Sequence, residues 1–260
     1  MRKLGNGRNY WRVSRDRVDL RRGAHPPLSV AFAAQPQRLE LDLARSAIVV
    51  VDMQNDFCVP GGWLSSIGVD PSPLLAPARP LNRLLPVLRR AGVPVIWLNW
   101  GNRADRMNLS PSVLHVYNPD GESNGIGSPL PGGGSRVLEK GSWGASLVEA
   151  LVPGPDDVWV DKYRISGFWD TPLDSILRNL GATTLFFAGI NLDQCVMHTL
   201  QDAVCLGYDA VLLEDCCATT SPSYCTEATL YNIKQCYGFV AGSESLLGAM
   251  AAIVGKVDAK

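Results

Sequence analysis

Histidine is scarce in this chain: His25, His115 and His198 are the three present, and none stands in a metal-ligand spacing. No catalytic metal is therefore expected, because transition-metal sites rest on closely spaced His, Cys and carboxylate ligands, and no cofactor is expected either. The seven cysteines are odd in number, contain no Cys-x-x-Cys pair and suggest no disulfide framework, which suits a reducing cytoplasm. No stretch approaches the roughly 18 uninterrupted apolar residues of a membrane span, and the basic start lacks the apolar run of a secretory signal. That start is Arg-rich but poor in Ser and carries acids, which speaks against an import peptide. A net charge of −1 excludes the broad basic surface that nucleic-acid binding requires.

Charge is unevenly placed. Residues 1–22 hold eight Lys or Arg against Asp16 and Asp19, a local excess of +6 that the remainder balances with about −7. We read residues 1–40 as a basic N-terminal arm, with Tyr10, Trp11 and Val18 to bury against its own domain or a neighbouring subunit. The apolar share of 46% supports one large domain over residues 41–255.

Short β-branched runs alternate with longer helical stretches. Strands are expected at Ser46–Asp52, Pro94–Asn99, Asp157–Lys162, Thr183–Gly189, Ala210–Glu214 and Gly238–Ala241. Helices are expected over Leu74–Ala91, Trp143–Leu151, from Thr171-Pro172 to before Gly181, Cys195–Leu206 and Ser223–Gln235, with one more at the end. Residues 101–136, rich in Gly, Pro, Asn and Ser, read as a long functional or subunit-contact loop. The alternation predicts a single-domain, three-layer α/β/α (Rossmann-like) fold with a six-stranded, mainly parallel sheet. In such sheets ligands bind at the edge formed by the strand C-termini. Asp52 ends the first strand, Lys162 ends the third, and Cys195 follows the fourth.

Cys195 stands at a predicted helix start, where free N–H groups and the helix dipole favour thiolate and can hold an oxyanion. An isolated Cys after a strand is more often a packing residue than a nucleophile. Asp52 and Lys162 each need a buried partner. Together they form either a structural ion pair or, beside a thiol, a proton acceptor and a cation that supports the sulfur. His198 lies one turn beyond Cys195 and is expected to pack beneath it rather than act as a base.

Three segments carry a resemblance: Val51-Asp-Met-Gln-Asn-Asp-Phe57, Lys162-Tyr-Arg-Ile-Ser-Gly-Phe168 and Gly189-Ile-Asn-Leu-Asp-Gln-Cys-Val196. Over about residues 44–245 they resemble, in order, the signatures of isochorismatase-like cysteine hydrolases. Gly132-Gly-Gly-Ser-Arg, Lys140-Gly-Ser-Trp143 and Ser166–Leu177 look most like ureidoacrylate amidohydrolases and biuret- and triuret-hydrolysing relatives. The resemblance implies a catalytic triad of Asp52, Lys162 and Cys195. It also implies a cis Ile190–Asn191 peptide and an oxyanion hole from the N–H groups of Asn191 and Cys195. It implies cleavage of a C–N bond in a small ureide or carbamoyl compound, in a homo-oligomer. Asn55, Phe57, Trp63, Asn102, Tyr163, Gln194 and Gln235 are the expected substrate contacts; Arg103 or Arg106 is available for a substrate carboxylate, as ureidoacrylate would require and an uncharged biuret would not. Founding isochorismatases, which cleave a vinyl ether, lack the Cys, and nicotinamidases share the triad but commonly hold a metal. A nicotinamidase-type amidase, a vinyl-ether hydrolase and a catalytically silent binding protein are the alternatives.

Overall fold

The computed structural model describes residues 1–22, 26–131 and 133–257, with side chains followed to residue 251. His25 and Gly132 lie outside the described residues. The chain begins with a three-stranded antiparallel meander, β1 (Arg2–Gly5), β2 (Tyr10–Val13) and β3 (Val18–Asp19). A hairpin follows, β4 (Ser29–Phe32) and β5 (Leu39–Asp42). The main sheet is built from β6 (Ser46–Val51), β7 (Val95–Trp100), β8 (Val158–Lys162), β9 (Thr184–Gly189), β10 (Asp209–Cys217) and β11 (Phe239–Ala241). The helices are α1 (Asn55–Cys58), α2 (Trp63–Ser66), α3 (Ala78–Arg90), α4 (Pro111–Val116), α5 (Leu173–Leu180), α6 (Met197–Cys205), α7 (Ser223–Asn232) and α8 (Ser243–Val257).

The six main strands are all parallel, in the order β11-β10-β9-β6-β7-β8. Strand β6 is buried at every position, because both faces of a parallel sheet are covered. Ile48 and Val50 join the core shared with α3, α8 and β4, while Ala47, Val49 and Val51 join that of α5 and α6. From β6 the chain winds outward to β7 and β8, then returns to β9 on the other side of β6. The strand order therefore reverses between β6 and β9, and such a switch point leaves a crevice at the strand C-termini.

Three expectations change. Residues 143–151 form turns rather than a helix, because Ser146 N–H and Val148 N–H are drawn to Trp143 O and to Met53 O. The chain from β4 onward is core rather than arm: Val30 and Phe32 are buried, and Gln35 exchanges backbone hydrogen bonds with Val240 at the edge of β11. Two predicted helices contain π-helical turns, at Leu192–Val196 before α6 and Ile233–Tyr237 after α7, a feature invisible to a 3.6-residue pattern. The basic meander docks on its own domain. Arg8 donates to the carbonyls of Ser46 and Gly92, and Asn6 and Asn9 bond Asn179. Ser46 opens β6 and Gly92 precedes β7, so this contact lies at the strand N-termini, opposite the crevice.

Gly189 ends β9 at φ +108°, with Val51 O of the neighbouring strand only 2.1 Å from where a Cβ would sit. Gly189→Ala is expected to destabilise the fold by more than about 4 kcal/mol, through a backbone clash and a disfavoured φ. In thermal melts this should appear as loss of soluble protein or a drop of roughly 10 °C or more; an unchanged melting temperature would show that β6 yields.

Candidate active site

Asp52, Lys162 and Cys195 meet at the crevice. Lys162 Nζ lies 2.8 Å from Asp52 Oδ2, donates to Cys195 Sγ at 3.3 Å and to Arg164 O at 3.2 Å, and sits 4.5 Å from the centre of the Trp100 ring. Its three N–H donors thus face three acceptors. Lys162 is the last residue of β8, while Asp52 follows β6; the intervening strand β7 contributes Trp100, over whose ring the lysine reaches. The Asp52–Lys162 contact is a buried ion pair. Asp52 itself has φ 51°, a left-handed conformation that costs a non-glycine residue about 1–3 kcal/mol. The kink is held by Asp52 N–H on Leu98 O and Gln54 N–H on Asp52 O.

Both charges are fully buried. Desolvation raises the Asp52 carboxyl above its usual range against the opposing pull of Lys162. Desolvation works to lower the Lys162 ammonium, but the charges of Asp52 and Cys195 outweigh it and hold it above its ordinary value. The Cys195 thiol is pushed up to about 12 by burial, with Lys162 pulling it down and Asp52 pushing it up. Burial thus opposes the thiolate that a helix start favours: Cys195 lies within a five-residue π-helical turn and is 6% exposed. Asp52 lies beside the sulfur as a group able to take its proton.

The Ile190–Asn191 peptide is cis, as the resemblance implies. The Asn191 N–H has no hydrogen-bond partner among the described residues, whereas the Leu192, Gln194 and Val196 N–H groups are bound to Ala218 O and Asn191 O.

The crevice opens into a cavity of about 400 Å³. Of the expected contacts, Phe57, Trp63 and Gln194 line it, together with Asp52, Asn191 and Cys195. Asn55, Asn102, Tyr163 and Gln235 do not. Asn55 Nδ2 is spent on Trp143 O, and Asn102 is fully buried with its backbone bonded to Leu138 and Lys140. Tyr163 donates its hydroxyl to Asp170 O, and Gln235 is exposed on the π-helical turn after α7. Arg103 pairs with Asp105, and Arg106 lies exposed along Gly127, so neither reaches the cavity. His198 is exposed, bonding Gln194 O at 2.8 Å, rather than packed beneath Cys195.

Sequence reasoning missed the scaffold. Gln54 is fully buried and clamps the end of β7, accepting from Trp100 N–H and donating to Trp100 O and Ala145 O. Asp56 accepts from the Trp63 and Leu138 N–H groups, fixing two cavity walls. Gly144 packs against the Asp56 carboxylate, where a Cβ would clash. Four polar residues among the five after strand β6, Asp52, Gln54, Asn55 and Asp56, were the available signal. Trp100 and Tyr117 of the cavity wall were missed as well.

Fold and site together define an α/β protein with a thiol, a carboxylate and an ammonium gathered at the switch point of its parallel sheet. A family model described as the isochorismatase domain matches residues 46–245. Among solved structures the chain is similar to a cysteine hydrolase from Pseudomonas syringae pv. phaseolicola 1448A, at 27% identity and TM-score 0.66, over 84% of this chain and 95% of that one. It is also similar to an N-carbamoylsarcosine amidase from Thermoplasma acidophilum, at 25% identity and TM-score 0.58, over 76% and 96%. A pyrazinamidase of Pyrococcus horikoshii, solved in complex with zinc, shares the fold at 24% identity and TM-score 0.58, over 76% and 99%. The chain belongs to the isochorismatase-like hydrolase family.

Removing one member of a buried ion pair leaves the other uncompensated, at a cost of about 3–5 kcal/mol. Lys162→Met should therefore destabilise the protein strongly near neutral pH. The buried Asp52 carboxyl, raised in the folded state, favours its proton there, so the stability it contributes is present at low pH and is lost as pH rises through its folded value. The deficit of Lys162→Met against the parent should accordingly shrink as urea titrations move down toward the ordinary carboxylate range; a deficit independent of pH would mean that Asp52 is not the stranded charge.

Proposed function

We propose that the protein is a cysteine amidohydrolase cleaving a C–N bond of a small ureide or carbamoyl compound, of the kind that ureidoacrylate, biuret and triuret represent. The observation that carries this reading is Cys195 Sγ, 3.3 Å from Lys162 Nζ, which in turn lies 2.8 Å from the Asp52 carboxylate. Asp52 takes the thiol proton as the sulfur attacks the carbonyl carbon and the C–S bond forms. Lys162 offsets the negative charge throughout. The oxyanion sits on the backbone N–H groups of Asn191 and Cys195. Collapse breaks the C–N bond, and Asp52 returns its proton to the leaving nitrogen, which departs as ammonia or an amine. Water, losing a proton to Asp52, then attacks the thioester, the C–S bond breaks and the sulfur is reprotonated. The similarity to a carbamoyl amidase supports the carbamoyl class, and the presence of Cys195 favours an amidase over a vinyl-ether hydrolase. The cysteines found in the structure are all free thiols, which supports a reducing compartment such as the cytoplasm.

Cys195→Ser should keep its circular dichroism spectrum and lose more than about a thousandfold in kcat for ammonia release; substantial residual turnover would remove Cys195 as the nucleophile. The free enzyme requires ionised Asp52 and protonated Cys195. The acid limb of kcat/KM should lie above the ordinary carboxylate value of about 4, because burial raises Asp52. No alkaline loss should accompany the ordinary thiol value of about 8.5, because the Cys195 thiol is pushed up to about 12. A bell closing near pH 8.5 would contradict this assignment.

A further inference from the structure

The cavity wall is more specific than the reaction at its floor. Four aromatic rings form a continuous run: Phe57 and Trp63 meet edge-on at 6.0 Å, Trp63 and Tyr117 at 5.4 Å, and Tyr117 and Trp100 at 6.2 Å. Tyr117 comes from the long segment between β7 and β8, and Trp63 Nε1–H bonds Asn124 O of that segment, tying the roof to α2. Among the described residues the wall carries no Arg, Lys or His, and its one charged side chain is Asp52. Lys162 has already directed its donors at Asp52, Cys195 and Arg164 O.

A substrate carboxylate would therefore enter an apolar chamber with no free cation to meet it and with Asp52 at the far end. Burying an unpaired carboxylate costs several kcal/mol. An aromatic or other flat apolar group would instead gain both desolvation and edge-to-face contacts, the latter worth about 0.5–1.5 kcal/mol per pair. The volume of about 400 Å³ leaves room for such a group beside the reacting carbonyl, within the roughly 300–1,000 Å³ usual for ligand sites.

We propose that this site selects an uncharged carbamoyl or amide compound carrying a flat apolar substituent, seated against Phe57, Trp63, Trp100 and Tyr117, and that it discriminates against carboxylate-bearing ureides. The proposal rests on the amidohydrolase reading for its chemistry and narrows the substrates that reading names, setting ureidoacrylate apart from the uncharged members; the selectivity belongs to the wall.

The test uses phenylurea, biuret, N-carbamoylglycine and ureidoacrylate. Turnover is followed as released ammonia with the intact protein, and binding by calorimetry with Cys195→Ser. Phenylurea should exceed both carboxylates by more than about tenfold in affinity and, where turnover occurs, in kcat/KM. Tyr117→Ala should narrow the preference of phenylurea over biuret by about tenfold, with its fold checked by circular dichroism. Either carboxylate binding as tightly as phenylurea, or Tyr117→Ala leaving the phenylurea-to-biuret ratio unchanged, would overturn the proposal, even if turnover upheld the amidohydrolase. Phenylurea bound selectively with no ammonia released from any of the four would support the proposal while removing the amidohydrolase reading.

Discussion

A carboxylate and an ammonium, both removed from water, depend on one another in this protein. Neither Asp52 nor Lys162 would stay charged alone in its position, since desolvation opposes both charges. Their contact can form only if the ends of β6 and β8, which are not neighbours, are held at a fixed separation by β7. The ring of Trp100 fills the gap between them and faces the ammonium. The sheet is thus a spacer as well as a core, and the sulfur is added from β9 on the opposite flank.

That spacing is defended by side chains that carry no part of the proposed chemistry. Gln54 pins both backbone polar groups of Trp100, and Asp56 pins the walls that carry Trp63 and Leu138. Asp157, its side chain only 3% exposed, is bonded by Arg89 and by Trp97 Nε1 and secures the approach to β8 from α3 and from within β7. Buried polar groups of this kind are costly when half satisfied and rigidifying when complete, which suits a site where small displacements would separate the reacting groups.

The sheet was legible in the sequence because both of its faces are covered. Runs such as Ser46–Val51 and Thr184–Gly189 have no alternation to misread, and the position of Asp52, Lys162 and Cys195 at strand ends follows from parallel topology alone. Polar residues near the site were harder to read. Asn55 and Phe57 both follow β6 within a short turn, yet one is spent on Trp143 O and the other lines the cavity. That division depends on where residues 143–146 pass, a tertiary fact with no local signature. The burial that opposes a Cys195 thiolate was likewise hidden, because a helix start is visible in a sequence but the depth at which it lies is not. Tyr117 escaped because it belongs to a long segment whose path no periodicity records.

That segment has a consequence for how such a protein can change. The roof over the cavity is threaded between β7 and β8 and, among the described residues, contributes no strand to the main sheet. It touches the rest of the chamber through Trp63, the aromatic contacts of Tyr117, and hydrogen bonds with Met53, Gln54, Asn55 and Asp56. The reacting groups are anchored in the sheet, which tolerates little alteration. Tyr117 can therefore change within that segment while Asp52, Lys162 and Cys195 stay as they are, whereas Phe57, Trp63 and Trp100 lie on stretches that also position the reacting groups.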